Sequence, residues 1–219
     1  MFLALRNEIE SRLLIVQESL AALSRIEDDS AYSPTVSKCL KGLTFVQLYA
    51  VYEHCVTSAV QCAIRGLNAS GLTLRELRHE LLSLALDANC RSLTACGVDR
   101  TWEVRIKLMR LTRSADPVSA PETVFPADGS HFRGTQLQTL WELFGIVGPH
   151  VPHNRLIGRI EELVELRNGI AHGRMRAEDV GGRFSIGDLR VRHSDTAEIC
   201  WHLIGALEAH VSDPVRLRG

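Results

Sequence analysis

One segment of the chain carries polar side chains whose types and spacing could act on a charged substrate. Arg167, Asn168 and His172 fall in the run Arg167-Asn168-Gly169-Ile170-Ala171-His172. Arginine has a permanent charge that suits anionic groups, and histidine exchanges a proton near neutral pH. A helical pattern surrounds the run, so the surroundings of these side chains decide whether they perform chemistry or stabilise the helix.

Arg167 interrupts the apolar face of the predicted helix. At about 100° per residue, that face forms one stripe with Arg167 in its middle. The stripe consists of Leu156, Ile160, Leu163, Val164 and Ala171. An unpaired guanidinium facing a dry core is very costly, so Arg167 must pair with an acid or line a polar cleft or subunit interface. Glu53, the one acid in the apolar middle of the second predicted helix, is the expected partner or neighbour.

A purely structural interpretation also fits these residues. Arg167 and Glu53 would form an ion pair in the core, and His172 would only favour the dipole at the helix end. Gly169 is unusual for such a helix, because glycine inside a helix costs about 1 kcal/mol relative to alanine. We therefore expect some group, not specified by the sequence, to approach the backbone at Gly169.

The elements that must position these residues are helical, so the predicted fold class is all-α. Apolar residues at steps of three and four predict a helix over 3–27. A long helix over 35–67 follows Ser33-Pro34, and its nearly all-apolar middle predicts the most buried helix of a bundle. Asn154 is the expected N-cap of the helix that carries Arg167, which ends at 171 or 172 before Gly173.

The weaker patterns predict shorter elements and a single domain over 1–219, with a variable insertion at about 87–133. These elements are a third helix capped by Thr73 with Glu76, helices over 100–113 and 135–144, a loop over 116–134, a turn with a short extended piece over 181–190, and a last helix capped by Ser194.

Composition excludes several classes of protein. The 25 Lys and Arg residues nearly balance the 26 Asp and Glu residues, which excludes a strongly basic nucleic-acid coat protein and an acidic disordered tail. The six cysteines form no C-x-x-C pair, and His150-x-x-His153 lacks a second pair of ligands, so we expect no metal site. We find no secretory signal or membrane-length apolar run and expect a cytoplasmic protein without a membrane partner.

The segment Arg167–His172 matches the signature of the HEPN superfamily: an arginine, a polar residue, three further residues and a histidine. Two other tracts also resemble a bacterial branch of this superfamily. They are Gly182-Arg183-Phe184-Ser185-Ile186-Gly187-Asp188-Leu189 and Gly42-Leu43-Thr44-Phe45-Val46-Gln47-Leu48-Tyr49-Ala50-Val51-Tyr52-Glu53. The likeness covers about two-thirds of the chain, and 87–133 lies outside it.

The resemblance implies a helical bundle that forms a symmetric homodimer, with the two motifs facing each other across a cleft. It also implies a metal-independent endoribonuclease of toxin or anti-phage defence type, needing no cofactor, with RNA as substrate and an antitoxin or defence-system protein as a possible partner. His172 would be the general acid/base, and Arg167 would hold the phosphate and stabilise its extra negative charge in the transition state. Asn168 would orient the phosphate or the imidazole, and Glu53 and Gly173 would support these residues.

One geometric difficulty accompanies this interpretation. Arg167 and His172 are about 140° apart on an ideal helix, so one chain does not easily bring both to one phosphate. Either the helix ends early, at Gly169, or a second subunit contributes across a two-fold axis.

Binding RNA also requires positive charge near the motif. Residues 167–193 contain six arginines against three acids, and Arg174, Arg176 and Arg183 are the expected RNA-binding residues. A second basic stretch, 100–113, is either another rim of the cleft or a solvated face. The alternative function is a non-catalytic HEPN module that binds a nucleotide or a partner protein, with Arg167 as a structural or ligand-holding group.

Overall fold

The computed structural model describes residues 1–29, 31–123 and 132–219, and within them the secondary structure is helical without strands. The predicted all-α fold class is therefore confirmed. The helices are α1 (Phe2–Asp28), α2 (Pro34–Asn68), α3 (His79–Ala85), α4 (Asp87–Ala95), α5 (Thr101–Leu111), α6 (Gly134–Phe144), α7 (Arg155–Ala171), α8 (Ala177–Gly181), α9 (Ile186–Val211) and α10 (Pro214–Leu217). Two short 3-10 helices, Leu74–Glu76 and Val98–Arg100, precede α3 and α5.

The described residues divide into two compact units. The first takes its residues from Met1–Ser58, His131–Gln136 and Pro149–Ile204. The second takes them from Ala59–Ser130, Leu137–Gly148 and Gly205–Gly219. Every residue proposed for the site from the sequence belongs to the first unit, whereas α4 and α5, within the predicted insertion, belong to the second. The single domain with a variable insertion stays a prediction.

Amphipathic patterning correctly predicted the long helices. In α1 the buried side chains recur at steps of three and four, as expected for one face of a helix. They are Phe2, Leu5, Ile9, Leu13, Val16, Leu20 and Leu23. Helix α2 starts with Pro34, whose fixed φ suits a first helical position, and its middle is buried on most sides. Helices α5 and α6 agree with the predicted 100–113 and 135–144 within two residues.

The third predicted helix differs from the observed structure. Thr73 and Glu76 do form the capping box, in which the Thr73 N–H donates to a Glu76 carboxylate oxygen at 2.9 Å. However, the box closes only a 3-10 turn, because the next residues are extended and the Arg78 N–H donates to the Leu217 carbonyl at 3.0 Å. That pairing delays α3 until His79, and α4, which was not predicted, follows directly.

The prediction for 181–190 was right about the turn, which lies at 182 and 183, and wrong about the short extended piece. Gly181 ends α8 and α9 begins at Ile186, so no strand forms there. Ser185 rather than Ser194 starts the last long helix: the Ser185 hydroxyl donates to the Asp188 carboxylate at 2.7 Å and accepts from the Asp188 N–H at 3.1 Å. This reciprocal arrangement satisfies amide donors and starts the helix at 186. Ser194 therefore lies inside α9 and does not cap it.

The predicted loop over 116–134 is only partly covered by the structure. Residues 116–123 are not helical, in agreement with the prediction, and α6 begins at Gly134. Residues 124–131 of the predicted loop lie outside the described residues.

Two glycines allow α2 and α8 to touch backbone to backbone. A Cβ on Gly42 would collide with the carbonyl group of Ala177, and a Cβ on Gly181 would collide with the carbonyl group of Lys38. Only hydrogen fits in these spaces. The crossing therefore holds the segment after α7 against the helix that contains Glu53.

Replacing Gly42 with alanine should destabilise the protein, because the obstructing atoms belong to backbone and cannot rotate away. Overpacking of this kind costs about 2 kcal/mol, which corresponds to a fall in Tm of about 4–8 °C for a chain of this size. Gly158→Ala is the matched control: Gly158 lies within α7 with open space around its Cβ position, so alanine there should raise stability by about 0.5–1 kcal/mol. Equal thermal melting of the two variants would contradict the crossing.

Candidate active site

Helix α7 presents most of its predicted apolar stripe to the interior, whereas Ala171, at the end of the stripe, is exposed. Leu156, Ile160, Leu163 and Val164 are buried, and Asn168 is the buried polar residue of this helix. Asn154 occupies the predicted N-cap position, but its side chain makes no capping hydrogen bond because its backbone is already helical. The helix is thus positioned by packing more than by its cap.

Three groups hold the guanidinium of Arg167. Its Nη2 lies 3.6 Å from Glu53 Oε2, and its Nη1 donates to Asn168 Oδ1 at 2.8 Å. Its Cζ lies 4.2 Å from the centre of the Tyr49 ring, in cation–π contact. The expected contact between Arg167 and Glu53 is confirmed. With 22 % of its side chain exposed, Arg167 is fixed in position and still reachable by solvent.

Tyr49 is the contributor that the sequence interpretation missed. Its hydroxyl donates to Glu53 Oε1 at 3.1 Å, one turn along α2. Burial, followed by the nearby charge of Glu53, raises the pKa of Tyr49 to about 12, so the phenol remains a donor at neutral pH. The available signal was the spacing of four residues between Tyr49 and Glu53, which places them on one face of a helix.

Replacing Tyr49 with phenylalanine should change the alkaline stability of the protein. The pKa of Tyr49 is raised in the folded state, so its contribution to the free energy of unfolding is intact below pH 10 and is lost as pH rises from about 10 to about 12. Tyr49→Phe should lower the free energy of unfolding by about 1 kcal/mol at pH 7, because Glu53 loses a hydrogen-bond donor. Between pH 10 and 12 the variant should lose less stability than wild type, because it has no phenol to ionise. Denaturation of both proteins between pH 7 and 12 measures the difference; parallel curves would contradict the assignment.

His172 closes α7 and differs from Arg167 in its surroundings. It is the C-cap residue, and its backbone N–H donates to the Asn168 carbonyl at 3.1 Å. The residue is exposed, and in the part of the chain that the structure describes no hydrogen bond or ion pair involves its imidazole. The helix continues through Gly169 to Ala171, so the possibility that it ends early at Gly169 was wrong.

The chain turns sharply after His172 and runs back along the helix end. Gly173 has φ +68°, the left-handed conformation that favours glycine, and its N–H donates to the Ile170 carbonyl at 3.0 Å. Met175 then donates its N–H to the Gly169 carbonyl at 2.9 Å, and its Sδ lies only 2.6 Å from where a Cβ of Gly169 would be. Met175 is therefore the group whose approach explains the glycine within α7.

The comparisons with known proteins agree with this architecture. The family that matches is described as HEPN_MAE_28990-like HEPN, and its sequence model covers residues 3–214. The chain belongs to the HEPN superfamily. No curated protein and no solved structure gives a significant match. HEPN domains include ribonucleases and nucleotide-binding modules, often dimeric and often RNA-binding, and the family match leaves open which of these this chain is.

The HEPN motif residues are only partly brought together. Arg167, Asn168, Glu53 and Tyr49 form one connected cluster, which we call the arginine cluster. His172 lies at the end of the same helix, outside that cluster's side-chain hydrogen bonds, and Gly173 supports the turn that follows it.

The three predicted RNA-binding arginines of this HEPN chain are all exposed. Arg174 and Arg176 follow the turn at Gly173, and Arg183 follows α8. Arg176 forms an ion pair with Glu178, which reduces the charge available there. Exposed Lys38, which the sequence interpretation did not include, lies beside this group because its Cδ is 3.7 Å from the Cβ position of Gly182.

Other parts of the HEPN motif region have structural roles. Phe184 packs against Phe45 with ring centres 4.8 Å apart, as expected for a core aromatic. Arg192 contacts Glu162 at 3.1 Å and lies over the Phe184 ring, so its charge is largely neutralised within the protein.

Neither a metal centre nor a membrane-spanning helix is found among the described residues of this HEPN chain. No group of three or more His, Cys, Asp or Glu side chains in them is arranged to hold a metal ion. None of their helices combines the length and apolar character that a membrane-spanning segment requires.

Proposed function

We propose that the protein is a metal-independent endoribonuclease that cleaves single-stranded RNA with Arg167, Asn168 and His172. The observation that supports this most directly is the contrast between the surroundings of Arg167 and those of His172. Arg167 is held by Glu53, Asn168 and Tyr49. The His172 imidazole, in contrast, is exposed and makes no hydrogen bond or ion pair with another described residue. A positioned cation and an accessible proton carrier are what this reaction requires.

The proposed chemistry uses the nucleophile that RNA already contains. A 2′-hydroxyl loses its proton to a base and attacks the adjacent phosphorus, while the bond to the 5′-oxygen breaks and that oxygen gains a proton. The products are a 2′,3′-cyclic phosphate and a 5′-hydroxyl. His172 moves the protons, since an imidazole can both accept and donate one, and Arg167 stabilises the extra negative charge in the transition state.

A second protomer would bring the two kinds of group to one phosphate. The helix is unbroken between Arg167 and Ala171, so the angle of about 140° between Arg167 and His172 persists within one chain. In a two-fold dimer, His172 of one protomer can face Arg167 of the other. We therefore include a homodimer in the proposed function.

The direct test is RNA cleavage in EDTA by purified full-length protein. We expect wild type to cut single-stranded RNA and to leave cyclic phosphate ends. Intact RNA after incubation with pure dimer, across several sequences, would refute the proposal.

Mixing two inactive variants should restore activity if the sites are shared between protomers. Arg167→Ala and His172→Ala, refolded together, form heterodimers in which one of the two sites has both wild-type groups. Half of the dimers are then mixed, so we expect about a quarter of wild-type activity. Each variant refolded with itself is the control. If dimers that mass spectrometry shows to be mixed recover no activity, then Arg167 and His172 of one site belong to the same chain.

A non-catalytic binding module is the second candidate. It is favoured by the fact that Arg167 already has three partners in the protein, as a structural arginine would. This function predicts that RNA or a nucleotide binds without being cut and that binding survives His172→Ala.

The biological setting follows from the superfamily resemblance alone. We propose a toxin or a component of anti-phage defence, controlled by a cognate antitoxin or another protein of the defence system. Growth arrest of a bacterial host by wild type, but not by His172→Ala, is the corresponding cellular result.

A further inference from the structure

The helical hairpin α4–α5 of the second unit is incompletely packed. Neither helix contains a buried residue, although both contain apolar side chains. A surface helix ordinarily buries one apolar face against its own protein. The hairpin therefore presents a face that another molecule could cover.

An apolar stripe runs along the exposed side of α5. Trp102, Ile106 and Met109 follow one another at steps of four and three residues, so they lie on one face of the helix. Their exposed fractions are 71 %, 50 % and 59 %. Single exposed apolar residues are common, but three on one helical face indicate a contact surface.

This stripe forms one wall of a groove of about 1030 Å³. The opposite wall comes from the chain around the first 3-10 helix and α3, including Leu77 and Leu82. The rim is basic, and none of the described residues that line the groove is acidic. The basic lining residues are Arg75, His79, Arg105, Arg110 and Arg113.

The lining has the composition of a protein-binding surface. Tryptophan, methionine and arginine are enriched at interfaces, whereas lysine, aspartate and glutamate are depleted. Arg105 lies over the Trp102 ring, with its Cζ 5.0 Å from the ring centre, which stiffens both side chains. An RNA strand would satisfy the arginines and could stack a base on Trp102, but its charged backbone covers aliphatic side chains such as Ile106 and Met109 less completely than an apolar helix face does.

We propose that this groove binds an amphipathic helix of a partner protein, whose apolar face covers the Trp102 stripe and whose flanks are acidic. Apolar residues at i, i+4 and i+7 of such a helix match the spacing of the stripe. Glutamates or aspartates beside them meet the arginine rim, which gives charge complementarity and salt-dependent association. The inference goes beyond the proposed ribonuclease and does not depend on it.

Trp102 provides a built-in reporter for the test. Trp141 is buried, and the half-buried Trp201 does not line the groove, so a ligand that covers the groove acts chiefly on the emission of Trp102. The probe is a helical 18-residue peptide with leucines at i, i+4 and i+7 and glutamates on both flanks. Its controls are a scrambled peptide and a peptide with lysine for glutamate. A 12-nucleotide single-stranded RNA, added to the full-length His172→Ala variant, tests the competing occupant.

We expect the acidic peptide to bind at least tenfold more tightly than either control and to shift Trp102 emission to shorter wavelength. Ile106→Ala and Arg110→Ala should each weaken this binding about tenfold or more. The matched controls, Val98→Ala and Arg100→Ala, change an exposed apolar and an exposed basic residue near α5 that do not line the groove, and they should bind as wild type does.

Two results would overturn the proposal. One is equal affinity for the acidic and scrambled peptides, or binding that the groove variants do not weaken. The other is RNA binding that quenches Trp102 by base stacking and is lost in Arg110→Ala, which would identify a nucleic-acid groove instead. Neither result depends on whether the protein cleaves RNA.

Discussion

His172→Ala should lower kcat for RNA cleavage by about 100- to 10,000-fold and leave the fold unchanged. This is the range that a positioned acid or base contributes. The fold should be unaffected because the imidazole is exposed and makes no hydrogen bond or ion pair with the described residues. The measurement is single-turnover cleavage of a labelled RNA, with thermal melting of the same preparations.

His153→Ala is the matched control, since His153 is another exposed histidine of the first unit. His153 Nε2 lies 3.3 Å from Glu198 Oε1 at the protein surface, away from the arginine cluster's hydrogen bonds. Cleavage by His153→Ala should therefore remain at the wild-type rate. If His172→Ala retains wild-type activity while folded and dimeric, His172 is not the proton carrier and the binding-module function is favoured.

Arg167→Ala should lower cleavage about 100- to 1000-fold, the effect of removing one strong donor to a developing charge. Unlike His172→Ala, it should also reduce stability, because Glu53 and Asn168 lose their partner in a partly buried cluster. We expect about 1–2 kcal/mol, or a fall in Tm of about 2–8 °C. Cleavage kinetics and circular dichroism melts on one sample separate the two effects.

Arg167→Lys distinguishes a general charge from the shape of the guanidinium. Lysine keeps the charge but loses the planar group that lies over Tyr49 and donates to Asn168, so cleavage should still fall at least tenfold. Arg25→Lys, at an exposed site in α1 of the first unit, is the control and should have little effect. Complete unfolding of Arg167→Ala would instead identify Arg167 as mainly a structural bridge to Glu53.

The long helices and the Arg167–Glu53 contact were predictable because each depends on a strong local signal. Seven buried residues repeat regularly along α1, and a charged residue inside an apolar stripe demands a partner. Glu53 was the only acid in the apolar part of α2, which made the assignment possible without a structure.

Tyr49 and the glycine crossing could not be predicted in this way, because both depend on how separate segments meet. An aromatic in an apolar helix is expected to be core. The spacing of four residues places Tyr49 on the same face of α2 as Glu53, but it does not show that Arg167 lies over the ring. Gly42 and Gly181 are far apart in sequence, and only the three-dimensional crossing shows why neither tolerates a side chain. Ser185 was missed because Ser194 offered a competing start signal, and the reciprocal bond with Asp188 decides between them.

The stacking of Arg167 on Tyr49 has a thermodynamic consequence for any anion that binds there. A free arginine side chain has about 2 kcal/mol of rotamer entropy, much of which is lost when the group is held still. Here the ring of Tyr49, the carboxylate of Glu53 and the amide of Asn168 restrict the guanidinium during folding. An incoming phosphate therefore meets a preorganised cation and does not have to order it, so more of the attraction between the two charges is available as affinity.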